Sequence, residues 1–166
     1  AATPTRGELT AAVMRAANYP VSDTASQYFV DVPASHAYAK EINTAAEIGF
    51  VNPGSVFFEP DEPATVAHAA KMLVWITGYD IMAQNRGGYP TGYLILANEL
   101  EITKGVGDTL TYEALLNMLL GALKTEILEQ SQFGDTSRYQ TIDEHTLLAY
   151  AHDIYRVRGV VTENSS

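Results

Sequence analysis

The side chains able to do chemistry in this 166-residue chain are few and scattered. There is no cysteine, so thiol catalysis, thiolate metal sites and disulfide staples are all excluded. Four histidines stand at His36, His68, His145 and His152. The last two are seven residues apart beside Asp143, Glu144 and Asp153, and a helix would put both on one face. Zinc sites more often use closer pairs with a third ligand, so this spacing does not point to one. Asp23, Asp31, Asp61 and Asp80 are dispersed and form no D-x-D-x-D-G run, which argues against a calcium hand. No G-x-S-x-G, P-loop or G-x-G-x-x-G occurs. The carboxylate pair of a glycoside hydrolase is set in space rather than along the chain, and nothing in the sequence argues for one. Recognition chemistry remains. Tyr79, Tyr89 and Tyr93 cluster around GYDIMAQNRGGYPTGY (78–93), which reads as a loop. Flat rings among glycines suit either a carbohydrate-stacking surface or structural filler. Arg86 in the same stretch is a candidate anion contact.

Composition narrows the partners. Apolar residues make up 46% of the chain and charged residues 18%, which favours a folded protein over a disordered one. Twenty acidic against ten basic side chains give a net charge of −10. A phosphate backbone demands a basic face, so nucleic acid is not expected as a partner, and anionic membrane surfaces are disfavoured for the same reason. No apolar run reaches the roughly 18–20 residues of a membrane span. The N-terminal AATPTRGELT has no basic-then-apolar leader, which fits a removed signal or a piece of a longer chain, and the absence of cysteine is compatible with export.

The elements that must position these groups repeat. Aligning Thr5, Thr65 and Thr111 puts TRGELTAAVMRAANY, TVAHAAKMLVWITGY and TYEALLNMLLGALKT in register. Four residues after each threonine lies Leu9, Ala69 or Leu115. Seven after lies Ala12, Met72 or Met118, eight after Val13, Leu73 or Leu119, and eleven after Ala16, Ile76 or Ala122. These offsets make one stripe on an α-helix. Each threonine is placed to cap its helix, and Thr5 with Glu8 fits a reciprocal capping box. Upstream, Ser35 is expected to cap a helix opened by His36-Ala37-Tyr38, with Gly49 ending it in a left-handed turn. Tyr89-Pro90-Thr91-Gly92-Tyr93 leads through LILANELEI (94–102), where Leu100 and Ile102 match Ile48 and Phe50. The unit is therefore helix, turn, loop, second helix. The first copy begins at its loop, and the third shortens the loop that VFFEPDEP occupies in the second. There, Phe57 and Phe58 are expected as a short extended piece packing on the core.

This ordered set resembles the S-layer homology domain of bacterial surface proteins. Its repeats carry an F-x-D-V opening, an H-W-A helix start, an isoleucine-alanine helix, a glycine turn, an F-x-P stretch and a T-R-A-E second helix. Phe29, Asp31, Val32, His36, Ile42, Ala46, Gly49, Phe58, Pro60 and Thr65 match in the middle copy, and Thr5-Arg6-Gly7-Glu8 is similar to T-R-A-E. The resemblance covers about residues 3–124. It implies a helical prism of three lobes whose grooves bind an anionic cell-wall polysaccharide, often through a pyruvate ketal. It also implies an extracellular location at the wall or surface layer of a bacterium, and no catalysis. By the same resemblance, Thr5, Arg6 and Glu8 mark a ligand site in which Arg6 pairs with the acid. Tyr38 and Tyr89, the aromatics nearest the H-W-A tryptophan position (Ala37 in the middle copy), would stack on sugar. The T-R-A-E arginine position is Arg6 in the first copy, Val66 in the second and Tyr112 in the third.

The expected fold is mainly α: repeated helix-loop-helix units around a shared helical core, with short extended segments and a C-terminal strand. The repeats span 1–130 (1–20 partial, 26–80 full, 88–124 shortened), and 131–166 form an extension that could begin a following domain. Helix 65–77 is apolar nearly all round, with only His68 and Lys71 strongly polar, and helix 111–124 adds Leu116 and Leu120 to its stripe. Both patterns fit central helices, with a partner groove as the alternative. Trp75 fits core or inter-lobe packing, or a sugar platform. In the extension, TEILEQ is expected to prolong the third back helix and SQFGDTSRYQ (131–140) to form a loop. DEHTLLAYAHDIY (143–155) reads as a helix capped by Asp143, and IYRVRGVVT (154–162) as a strand that pairs with the VFF segment or opens a following domain. No cofactor or metal is expected. The partners that the resemblance implies are cell-wall polysaccharide and other surface-layer domains. A purely structural module without glycan binding is the alternative function.

Overall fold

A computed structural model describes residues 2–133 and 136–152. In chain order these form α1 (Arg6–Ala16), α2 (Ala39–Glu47), α3 (Val66–Ile76), α4 (Asp80–Asn85), α5 (Thr91–Glu99), α6 (Tyr112–Leu123), β1 (Glu126–Phe133), β2 (Thr136–Thr146) and α7 (Leu147–His152). The chain is mainly helical. No helix among the described residues is long and apolar enough to cross a membrane.

The three threonines start the three back helices, α1, α3 and α6. Each Thr side chain accepts the backbone N–H three residues on: Glu8 for Thr5, His68 for Thr65 and Ala114 for Thr111. This satisfies one of the donors that a helix start leaves unpaired. The Thr5–Glu8 box is complete, and in α3 His68 takes the place of the acid and closes a second box. The three helices pack pairwise against one another. Leu9, Val13, Ala69, Leu73 and Met118 from their shared stripe are almost wholly buried at the contact. At roughly 1.5–3 kcal/mol for each large apolar side chain buried, this seam outweighs any single polar contact in the fold.

α3 is the central helix: Ala70 and Val74, off its stripe, are as buried as Leu73. α6 is not. Leu116 and Leu120 are exposed together with Tyr112, so the apolar pattern there does not mark a second covered face. Trp75 is half-buried and packs its ring 5.1 Å from that of Phe50.

A smaller apolar cluster sits beneath α2, joining Phe29, Val32, Ile42 and Phe58. Asp31 ties it shut, its carboxylate accepting the N–H groups of Phe58 (2.9 Å) and Glu59 (2.7 Å). Of the expected phenylalanine pair, Phe58 is buried and Phe57 is exposed. Gly49 ends α2 at φ +80° as expected. Ser35 does not cap α2, which starts only at Ala39 after Tyr38, without a side-chain cap. The segment 36–38 forms a tighter turn in which the Tyr38 N–H donates to His36 Nδ1.

The stretch 78–93 is not all loop, because Asp80–Asn85 forms α4. The sequence after α6 departs further. TEILEQ does not prolong the helix. From Glu126 the chain enters β1, which pairs antiparallel with β2 from Phe133↔Thr136 back to Glu126↔Thr146. The strand starts inside 1–130, and SQFGDTSRYQ is largely strand. The cause is non-local: the Leu128 N–H donates to the Thr77 carbonyl (3.0 Å), and the Tyr79 hydroxyl donates to the Glu126 carbonyl (3.1 Å). Gly78 permits this docking. It sits at φ +89°, and a Cβ there would lie 2.2 Å from the Leu128 carbonyl oxygen. α7 starts at Leu147, after Asp143 has been used in β2, and Thr146 accepts the Ala149 N–H. The segment 154–162 lies outside the described residues.

Candidate functional site

Residues 4–7 run alongside 60–64. Thr5 and Pro63 form an isolated antiparallel bridge, the Arg6 N–H donates to the Glu62 carbonyl (2.9 Å), and the Gly7 N–H donates to that of Pro60 (2.8 Å). The rigid EPDEP turn of the middle copy thus fixes the first turn of α1. Arg6 emerges from it across Phe58. Its Nε donates to the Phe58 carbonyl (2.9 Å), and the guanidinium lies over the Phe58 ring, 5.0 Å from the centroid.

Beyond Phe58 the guanidinium enters a cavity of about 200 Å³ where the first two copies meet Tyr89 of the third. Leu9, Phe50 and Met72 give it an apolar floor, and Arg6, His68, Lys71 and Tyr89 line it with polar or aromatic groups. Arg6 Nη1 is 2.9 Å from His68 Nε2. Tyr89 lies parallel to the His68 ring at 6.3 Å between centroids, and Lys71 Nζ is 5.6 Å from the centre of the Tyr89 ring. Among the described residues neither Arg6 nor Lys71 forms an ion pair, whereas Arg15, Lys40, Arg86 and Lys104 each have a carboxylate. In a chain with twice as many acids as bases, two cations without acid partners at one cavity make a local positive field. His68 responds to it. Burial first, then the charges of Arg6 and Lys71, lower its pKa to about 4, so the ring is neutral at pH 7.

The sequence-derived residues divide. Arg6 and Tyr89 meet in this cavity. Thr5 and Glu8 serve the cap, Glu8 accepting the Thr5 N–H (2.8 Å) and the Tyr112 hydroxyl (2.6 Å). Tyr38 is not among the residues lining the cavity. It packs near Gly7 and His36, and His36 in turn contacts Asp61. Arg86 is paired with Glu99, also outside the cavity. Sequence reasoning missed His68 and Lys71 as site residues. Their signal was present: they are the strongly polar residues of an otherwise apolar helix, three apart and so on one face. Among the described residues no cluster of His, Asp or Glu could hold a metal ion.

A second cavity of about 450 Å³ opens at the start of α3, between the second and third copies. Its lining includes Val66, Leu94, Asn98, Val106 and Asp108, with no lysine or arginine. At the third helix start, Tyr112 occupies the corresponding position and bonds Glu8, which raises the pKa of its hydroxyl.

No family model matches the chain. Two curated proteins do: the surface layer protein of Brevibacillus choshinensis and the middle cell wall protein of Brevibacillus brevis. Each is 28% identical over 158 residues, covering 89% of this chain. The chain spans 14% of the length of either relative. The similarity joins it to proteins of the bacterial cell surface.

Proposed function

We propose that this chain is a non-catalytic wall-binding module, holding a larger surface protein to an anionic cell-wall polysaccharide. Its location is extracellular, at the wall or surface layer, in keeping with the names of both relatives. One observation carries the reading. Arg6 and Lys71, without acid partners among the described residues, converge with the Tyr89 ring on one inter-copy cavity of a chain whose net charge is −10. A guanidinium held by Nε and Phe58 turns its Nη groups, one of them beside His68, to the cavity, where they offer a carboxylate a planar fork. An aromatic face beside it suits the apolar face of a sugar ring. The chain's overall charge repels an acidic polymer at long range, but at physiological salt that repulsion fades beyond about 8 Å, leaving the local cations to act.

A second reading is a structural module that packs against other surface-layer domains. The Val66 cavity favours it, since the matching place one copy on offers an acid and apolar walls. Sedimentation with purified wall, before and after its polysaccharide is stripped, separates the two. Wall anchoring predicts retention that disappears with the polysaccharide and falls in Arg6→Ala. Retention that survives stripping favours the structural module.

A further inference from the structure

The cavity contains a donor facing a donor. His68 closes the α3 capping box by accepting the Thr65 backbone N–H at Nδ1 (3.1 Å). A neutral imidazole has one acceptor and one N–H, so its hydrogen is then on Nε2. Nε2 lies 2.9 Å from Arg6 Nη1, and a guanidinium nitrogen carries only donors. The opposite tautomer moves the conflict without removing it, because the Thr65 amide then faces an Nδ1–H. Protonating the ring is worse, placing hydrogens against both donors beside two cations. The contact is relieved when the two nitrogens part around one acceptor oxygen that takes a hydrogen bond from each, and an anionic oxygen gains most there.

We infer that His68 is a specificity-determining ligand contact, a neutral second donor that converges with Arg6 on one carboxylate oxygen and selects acidic sugars over neutral ones. This rests on the wall-binding reading and adds a residue to it. In the tautomer that closes the helix cap, Nε2–H is aimed into the cavity. Burial and the neighbouring charges of Arg6 and Lys71 hold the ring uncharged, and its other contacts are Thr65 and Tyr89. Lys71 supplies a further positive charge at the same cavity, while His68 supplies direction without a proton that comes and goes near neutrality. A lone hydroxyl could accept the two bonds, but a charged acceptor gains roughly twice as much from each.

The test uses the intact chain and purified acidic wall polysaccharide, with a sample whose carboxyl groups have been reduced to alcohols. Nitrogen shifts of the His68 ring in the free chain should report hydrogen on Nε2. His68→Glu keeps a capping side chain at this position but puts an acid against Arg6. It should fold and lose at least tenfold in affinity. His68→Gln, which can cap through its amide oxygen and donate through its amide nitrogen, should remain within a few-fold of wild type. Wild-type affinity should be flat from pH 8 to pH 6, and the reduced polysaccharide should bind poorly. Hydrogen on Nδ1 in the free chain overturns the inference. So does His68→Glu binding like wild type while Arg6→Ala does not bind, an outcome that leaves the wall-binding reading standing. Absence of wild-type binding to either sample overturns both.

Discussion

The two cavities beside α3 draw on adjacent turns of the same helix and differ in chemistry. One face supplies His68, Lys71 and Met72 to the Arg6 cavity, and the first turn supplies Thr65, Val66 and Ala67 to the other. The second is the larger, yet it holds an acid and no lysine or arginine, whereas the first gathers two cations and an aromatic ring. Their frame is shared: a capped helix start, a buried stripe and a neighbouring copy. The positions that carry the fold keep their chemistry from copy to copy, as Thr5, Thr65 and Thr111 show. The residue just after the cap is free to become Arg6, Val66 or Tyr112 without disturbing the core. A repeat can therefore keep its architecture while most of its grooves lose a given ligand chemistry.

The strongest way to break the comparison is to remove the frame. Leu73 is fully buried at the seam of the three back helices. Leu73→Ala should destabilise the fold by about 2–5 kcal/mol, read by denaturant unfolding, and loosen both cavities together. Next comes the charge alone. Arg6→Ala should lower affinity for acidic polysaccharide by about 10–100-fold, in line with the roughly 1.5–3 kcal/mol of a hydrogen bond to a charged group. The melting temperature should move little. A third change tries to make the cavities alike: Val66→Arg with Asp108→Asn supplies a cation where there is none. Calorimetric titration should then show a second, weaker site, with stoichiometry rising towards two.

The smallest effect is on stability against pH. The folded pKa of His68, about 4, lies below its ordinary value of 6.5. Between those values the unfolded chain takes up a proton that the folded chain does not, so His68 costs stability as pH falls from 6.5 and the loss is complete below about 4. The ring is partly buried, and solvent screening reduces the cost to on the order of 1 kcal/mol. His68→Gln should flatten that part of the curve, measured by unfolding midpoints from pH 7 to pH 4. An unchanged slope would mean that other groups dominate it.

What could be read from the sequence follows the range of the interactions. The three caps, the α1, α3 and α6 stripes and the Gly49 turn depend on residues within a few positions of one another, so they are legible as motifs. TEILEQ has helix-forming residues and no opposing local signal. It becomes β1 because its backbone meets Thr77 and Tyr79, about fifty positions earlier. α4 has six residues and no side-chain cap, too little pattern to distinguish it from loop. The site was half visible. Arg6 stood out in its motif, but its contact with His68 spans 62 positions, and the tautomer that closes the histidine's cap matters only once the two are side by side.

The most direct measurement is a nuclear magnetic resonance titration of the labelled chain with acidic wall polysaccharide, following the Arg6 Nε–H and the signals of His68, Lys71 and Tyr89. The account predicts that these shift first and saturate, while Val66, Asn98 and Asp108 stay in place, and that carboxyl-reduced polysaccharide leaves both sets unmoved. Shifts centred on the Val66 cavity, or equal shifts with the reduced polymer, would contradict it.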